Sequence, residues 1–271
     1  MQPNSSDDLK QTVRERYDQI ARQSAAQNAS SCCGTGCGCS SGDILMAEDY
    51  SQLEGYVPSA DLGLGCGIPT EGADIREGDT VLDLGSGAGN DVFVARRLVG
   101  ETGTVIGVDM TEIMVEKANA NKALLGYTNV DFRLGDIEQL PVEPNSIDVV
   151  ISNCVLNLVP DKGKAFSEMF RVLRPGGHFT VSDIVVTRPL PEAVRSAAEL
   201  YVGCVAGAQV KEDYIATAQS AGFDTLVIVK EKTIDIPDDI LAASLKPEEL
   251  AEFKNSHATI LSITLRGEKR S

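Results

Sequence analysis

Apolar and polar residues follow two different periods along this chain, and the points where the period changes mark its elements. Residues 7–27 are polar, with Val13, Tyr17, Ile20 and Ala21 at helical spacing, which predicts an amphipathic helix. From Thr80 a repeated unit begins. TVLDLGS is a short apolar run closed by glycine, and NDVFVARRLVG after it has helical spacing and a terminal glycine. The unit recurs as TVIGVD with EIMVEKANANKALLG, as VDFRLGD, and as IDVVISN with DKGKAFSEMFRVL, where Ala165, Phe166, Met169, Phe170 and Leu173 share a helix face. Arg174-Pro175-Gly176-Gly177 is expected to stop that helix, and GHFTVSDIVV to form a fifth strand. Residues 188–222 read as helices, and TLVIVKEKTIDI and TILSITLRGEK read as two more strands around a helix near residues 248–255.

Strands alternating with helices predict an α/β fold built on a doubly wound, mostly parallel sheet of seven strands, with at least one antiparallel edge contributed by the tail. Ligands of such sheets sit at the carboxyl ends of the strands, by the point where strand order reverses. The stretch GYVPSADLGLGCGIPT, residues 55–70, is rich in glycine and proline and is expected to be irregular.

Composition narrows the function classes. A formal charge of −16 opposes a phosphate backbone, so neither nucleic acid nor an anionic membrane is an expected partner. No apolar run approaches ~18 residues and the first residues lack a signal-peptide core, so a soluble, cytoplasmic protein is expected. The 7 cysteines change the picture more. Four of them, Cys32, Cys33, Cys37 and Cys39, crowd into SSCCGTGCGCSSG, and in a reducing compartment clustered thiols point to metal binding or redox work.

VLDLGSGAGN places Gly85, Gly87 and Gly89 between the first strand and its helix, where glycine permits a sharp turn and close approach of backbone to ligand. A loop that simply needs glycine would look the same. The spacing G-x-G-x-G lacks the extra residue of the dinucleotide fingerprint, and carboxylates lie at three successive strand ends: Asp83, Asp109 and Asp136. Such a set suits a ligand with an amino group, a ribose and adenine, and does not suit a pyrophosphate.

These residues resemble the class I S-adenosylmethionine-dependent methyltransferases over roughly residues 74–186. The resemblance implies S-adenosylmethionine held by Asp83, Gly85, Ser86, Gly87, Gly89, Asp109, Met110, Asp136, Ile137 and Asn153, its amino-acid end at the glycine turn and its adenine between Met110 and the turn at Asp136 and Ile137. Three isolated cysteines narrow it further. GYVPSADLGLGCGIPT, ISNCVLNLVPDK and ELYVGCVAGA, with the N-terminal YDQIA and SCC segments, are similar to signatures of the arsenite methyltransferase family in family order.

That resemblance implies Cys66, Cys154 and Cys204 as thiolates holding trivalent arsenic, and Cys32 or Cys33 as a further cysteine of redox turnover. The chemistry is consistent, because soft thiolates select a thiophilic centre. The implied substrates are arsenite and methylarsenite, with a thiol reductant, thioredoxin or glutathione, to restore the trivalent state. By position, residues 1–73 are expected to form the N-terminal helix, cysteine-rich loop and arsenic-binding loop, residues 74–187 the cofactor-binding core, and residues 188–271 a region that completes both arsenic site and sheet. Both histidines, His178 and His257, read as structural, and an arsenic lone pair needs no general base. The alternatives are a methyltransferase for a small organic substrate, a non-catalytic metalloid-binding thiol protein and, for the cysteine-rich loop, a zinc or iron–sulfur knuckle.

Overall fold

The repeated units of the sequence become alternate strands and helices of one sheet. In the computed structural model, which describes residues 6–22, 48–196, 205, 207–235, 241–242 and 245–270, the elements run α1 (Ser6–Arg22), β1 (Thr80–Leu84), α2 (Asn90–Val99), β2 (Thr104–Asp109), α3 (Glu112–Leu125), β3 (Val130–Leu134), β4 (Ile147–Asn153), α4 (Lys162–Val172), β5 (Leu173–Val186), α5 (Glu192–Ser196), α6 (Lys211–Ser220), β6 (Asp224–Ile234), α7 (Pro247–Asn255) and β7 (Ile260–Glu268). The seven strands lie in the order β3-β2-β1-β4-β5-β7-β6. Strands β1 to β5 pair in parallel, and β7 runs antiparallel to both its neighbours. Strand order therefore reverses between β1 and β4, and that switch point opens the crevice in which such folds bind ligands.

Alternation along the strands assigns the two faces. Leu82, Leu84, Ile106, Val108 and Val150 pack with Phe166, Phe179 and Tyr214 on one side. Val81, Val105, Val149 and Ile151 pack with Val92, Phe93 and Phe132 on the other. Each such buried side chain contributes about 1.5–3 kcal/mol by leaving water. Parity then carries Asp83, Asp109 and Asn153 to the ends of β1, β2 and β4 on the second face, in line with Val81, Val105 and Ile151.

One boundary differs from the sequence expectation. The helix ends at Val172, and Leu173, expected on its last turn, instead begins β5. Ile147 pairs with Leu173 and Val149 with His178, so residues 174–177 are extruded as a bulge. Gly176 and Gly177 tie that bulge to Lys269 through backbone hydrogen bonds of 2.8 and 2.9 Å, which a local helix-stop reading does not foresee.

At the carboxyl ends of the strands a separate apolar cluster gathers Val13 of α1, Cys66, Cys154, Leu158, Ile184, Val186, Leu190, Val194, Val205, Ile234, Leu245 and Ile260. Helix α1 also lays Ile20 and Ala21 against Met114 of α3. No described helix is long and apolar enough to cross a membrane.

Candidate active site

The cleft at the switch point encloses about 1140 Å³, counting the solvent at its mouth, and most residues anticipated for a cofactor line it. Asp83, Gly85, Ser86, Gly87, Asp109, Met110, Asp136, Ile137, Asn153 and Cys154 are brought together there, although they come from four different strand ends. Gly89 does not reach the cleft. It is the N-cap of α2, with φ 101°, and a side chain there would press on the rings of Phe93 and Phe132 at 2.8 and 2.9 Å.

The turn is shaped for a ligand. Gly85 has φ 67° and would collide with Val155 if it carried a Cβ. The Gly87 amide donates to Asp109 Oδ2 at 2.9 Å and the Thr111 amide to Oδ1 at 2.9 Å, which fixes that carboxylate at the end of β2. Ser86 Oγ and Asn90 Oδ1 are buried and find no hydrogen-bond partner among the described residues, although both line the cleft. Buried polar atoms are normally satisfied, so such a pair marks a place that a ligand completes.

Electrostatics say what kind of ligand. Burial pushes the Asp83 carboxyl well above its ordinary range, and the neighbouring Asp91 and Asp109 push it further. Burial likewise raises Asp109, and it raises Asp91 to about 6 against the hydrogen bonds that favour its charged form. Buried carboxyl groups crowded around Asp83 accommodate a cation well, since a positive charge offsets both the repulsion there and part of the desolvation cost.

Asp91 and Tyr50 are functional residues that the sequence did not announce. The Tyr50 hydroxyl donates to Asp91 Oδ1 at 2.8 Å and accepts from Asn153 Nδ2 at 2.8 Å. Asn153 also donates to the Gly67 carbonyl at 2.8 Å and accepts from the Cys66 amide at 3.0 Å. One amide side chain thus fastens the loop around Cys66 to the cleft. Gly65 is where the loop passes closest, for a Cβ there would lie 2.7 Å from Asn153 Nδ2. Asp91, an acid in the first turn of α2 directly after the glycine turn, was the one local signal available; Tyr50 had none.

Asp136 holds a partner that was not expected. Lys10 of α1 reaches over to pair with Asp136 at 2.6 Å and with the buried Glu138 at 2.5 Å. Burial works to raise the Asp136 pKa, but the Lys10 ammonium and the Glu138 amide outweigh it and hold the carboxyl below its ordinary range. Helix α1 is thereby latched along the Asp136 side of the cleft, where Lys10, Val13 and Tyr17 form part of the wall.

Below the cleft the thiols meet. Cys154, the first residue after β4, takes φ 60°, a left-handed conformation that turns the chain out of the sheet, and its amide donates to the Ser182 carbonyl at 2.8 Å. The sulfurs of Cys66 and Cys154 and a carboxylate oxygen of Asp183 all lie within 4.8 Å of one another, each residue buried. Cys204 and the four cysteines Cys32, Cys33, Cys37 and Cys39 lie outside the described residues. Asp183 itself was missed, although an acid inside the apolar run of GHFTVSDIVV was a visible signal.

Strand order, glycine turn and strand-end carboxylates define a class I methyltransferase architecture. The methyltransferase-domain family model matches residues 75–232. The chain is 43% identical over 248 residues to an arsenite methyltransferase of Halobacterium salinarum, covering 86% of this chain and 62% of that protein. It is 35% identical over 244 residues to an arsenite methyltransferase of Aquipseudomonas alcaligenes, covering 88% and 68%. A crystal structure of an arsenic(III) S-adenosylmethionine methyltransferase from Chlamydomonas reinhardtii superposes with a TM-score of 0.65 at 41% identity, covering 76% of this chain and 67% of that one. The chain belongs to the methyltransferase-domain family and, within it, to the arsenite methyltransferases. It spans about two thirds of the length of these curated relatives, 62% and 68%.

Proposed function

We propose that this protein transfers methyl groups from S-adenosylmethionine to trivalent arsenic held by its own cysteine thiolates, as a detoxifying reaction in the reducing cytoplasm. The observation that carries this reading is the position of Cys66 and Cys154, buried within 4.8 Å of each other at the edge of a cleft built for a cation. The cleft fits the cofactor by its own chemistry: three crowded carboxyl groups for an amino group and ribose, and the Ser86 and Asn90 oxygens, without a partner among the described residues, for polar groups of the ligand. When bound, S-adenosylmethionine supplies an electrophilic sulfonium methyl.

In this reading Asp83 and the glycine turn hold the amino-acid end, Asp109 the ribose, and Met110 and Ile137 flank the adenine. Asp136 reaches the adenine amine only if it shares its oxygens with Lys10. Cys66, Cys154 and Cys204 replace hydroxyls of arsenous acid, the thiol protons leaving with them as water, and Asn153 keeps the Cys66 loop in line with the cleft. A three-thiolate pyramid leaves the arsenic lone pair on the open side. Fixing that pair in line with the methyl supplies the proximity effect, up to about 7–11 kcal/mol.

The sulfur–methyl bond breaks as the arsenic–methyl bond forms from the lone pair, so arsenic is formally oxidised by two electrons. Cys32 and Cys33 return them by closing a disulfide with each other, with Cys37 or Cys39, or with a site thiol, and thioredoxin or glutathione reduces that disulfide. The test is arsenite-dependent formation of S-adenosylhomocysteine under excess thiol. Wild type turns over, while Cys66→Ser, Cys154→Ser and Cys204→Ser still bind the cofactor and lose turnover. A wild type that binds cofactor but ignores arsenite would remove the substrate assignment and favour a small organic acceptor.

A further inference from the structure

A trivalent arsenic pyramid is completed by three thiolates, so the buried carboxylate beside Cys66 and Cys154 has no part in it. Asp183 is 0% exposed, where a carboxylate is costly unless it is paired and hydrogen-bonded. It is nevertheless held in a fixed pose. The Tyr214 hydroxyl donates to Oδ2 at 3.1 Å and the Ile184 amide to Oδ1 at 3.1 Å.

We propose that Cys66, Cys154 and Asp183 form a binding site for a divalent thiophilic cation of the zinc and cadmium class, which competes with the trivalent metalloid for the same two thiols. Two thiolate sulfurs and one carboxylate oxygen are a donor set suited to a d¹⁰ ion of borderline softness. Metal–sulfur bonds of about 2.3 Å and metal–oxygen bonds of about 2.0–2.2 Å bring tetrahedral ligands to roughly 3.5 Å from one another. The three donor atoms already lie within 4.8 Å of one another, near that spacing.

The surroundings are those of a supported site. Ligating groups keep their geometry when their own neighbours hold them, and here Tyr214 holds Asp183, Asn153 holds the Cys66 amide, and Ser262 donates to the Cys66 carbonyl at 2.6 Å. Charge also closes. Buried Lys162 places one positive charge near Asp183. Two thiolates, one carboxylate, one dication and one ammonium leave the buried cluster neutral. Entry runs through the cleft, whose wall includes Cys154. Binding releases the two thiol protons to solvent and changes no oxidation state.

The experiment uses the full chain with Cys32, Cys33, Cys37 and Cys39 all replaced by serine, reduced, so that those thiols take no part. Cadmium is titrated in and read by its sulfur-to-metal charge-transfer absorption, with arsenite titrated in parallel and zinc as competitor. One cadmium per chain is expected, displaced by arsenite and by zinc, and lost in Cys66→Ser and in Cys154→Ser. Asp183→Asn is expected to lower cadmium affinity at least tenfold relative to arsenite affinity, in the range that changes around a metal centre produce. Tyr214→Phe, which keeps the carboxylate, gives a smaller loss in the same direction and serves as the readout should Asp183→Asn not fold. Arsenite binding with no cadmium signal, or an unchanged ratio of the two affinities in both variants, would overturn the proposal. Cadmium binding without arsenite binding would sustain the cation site, overturn the competition and remove arsenic from the proposed function.

Discussion

The cofactor cleft and the thiol cluster meet between two consecutive residues, Asn153 and Cys154, yet they are put together in opposite ways. In the cleft, strand parity and one glycine turn place the strand-end groups, among them buried carboxyls that crowd Asp83. In the cluster, Cys66 arrives on an irregular loop, Cys154 on a left-handed kink and Asp183 from the interior of β5, and their common floor is an apolar cap that also draws on α1 and β7. A binding site made by backbone geometry tolerates distant changes. One assembled from separate segments depends on each joint between them.

The joint that tests this most severely is Asn153. Replacing it with alanine removes the contacts to Cys66, Gly67, Tyr50 and Asp91 together. Arsenite-dependent turnover at low arsenite is expected to fall on the order of 100-fold, the scale of an ångström of misplacement in a reacting group. Cofactor affinity should fall far less, by titration of the same variant. Equal losses on both sides would mean that cleft and cluster are one unit.

The next test stays within the cleft. Asp83→Asn is expected to weaken cofactor binding by about 1.5–3 kcal/mol, tenfold or more, because it removes a charged acceptor. It should also raise the melting temperature of the ligand-free protein at neutral pH. The sign follows from the raised folded-state pKa: above the unfolded-state value, ionisation of Asp83 disfavours the fold increasingly as pH rises, and an uncharged amide removes that cost. Calorimetry with and without cofactor separates the two effects.

The smallest effect is one of pH. A cationic ligand favours ionised Asp91, whose pKa in the ligand-free protein is about 6. Cofactor affinity should therefore climb as pH rises toward 6, by at most tenfold per unit from this group. Arsenite-free titrations between pH 5 and 8 check this, and a flat profile would show that Asp91 keeps its proton when the cofactor binds.

How much of this was legible in the chain follows the same division. Strands β1 to β5, their helices, and the set from Asp83 to Asp136 could be read from period and spacing, because each is fixed by its immediate neighbours in sequence. Lys10 pairing with Asp136 across 126 positions, or Tyr50 reaching Asp91 across 41, leaves no local trace. The three isolated cysteines stood out by resemblance and not by pattern, and nothing in the sequence joined Asp183 to two of them. The bulge at residues 174–177 was read as a plain helix stop because its partner, Lys269, lies at the other end of the chain.

Strand parity has a last consequence, for folding fidelity. Asp83, Asp109 and Asn153 stand in line with Val81, Val105 and Ile151, while Leu82, Val108 and Val150 face the opposite side. A slip of one position in β4 would drive Asn153 toward Phe166 and Phe179 and strip the Cys66 loop of its anchor, since every side chain on a slipped strand changes face. The polar residues at the strand ends therefore proofread the pairing: a misaligned sheet would have to bury them among aromatic rings, and only the aligned one delivers them to the crevice.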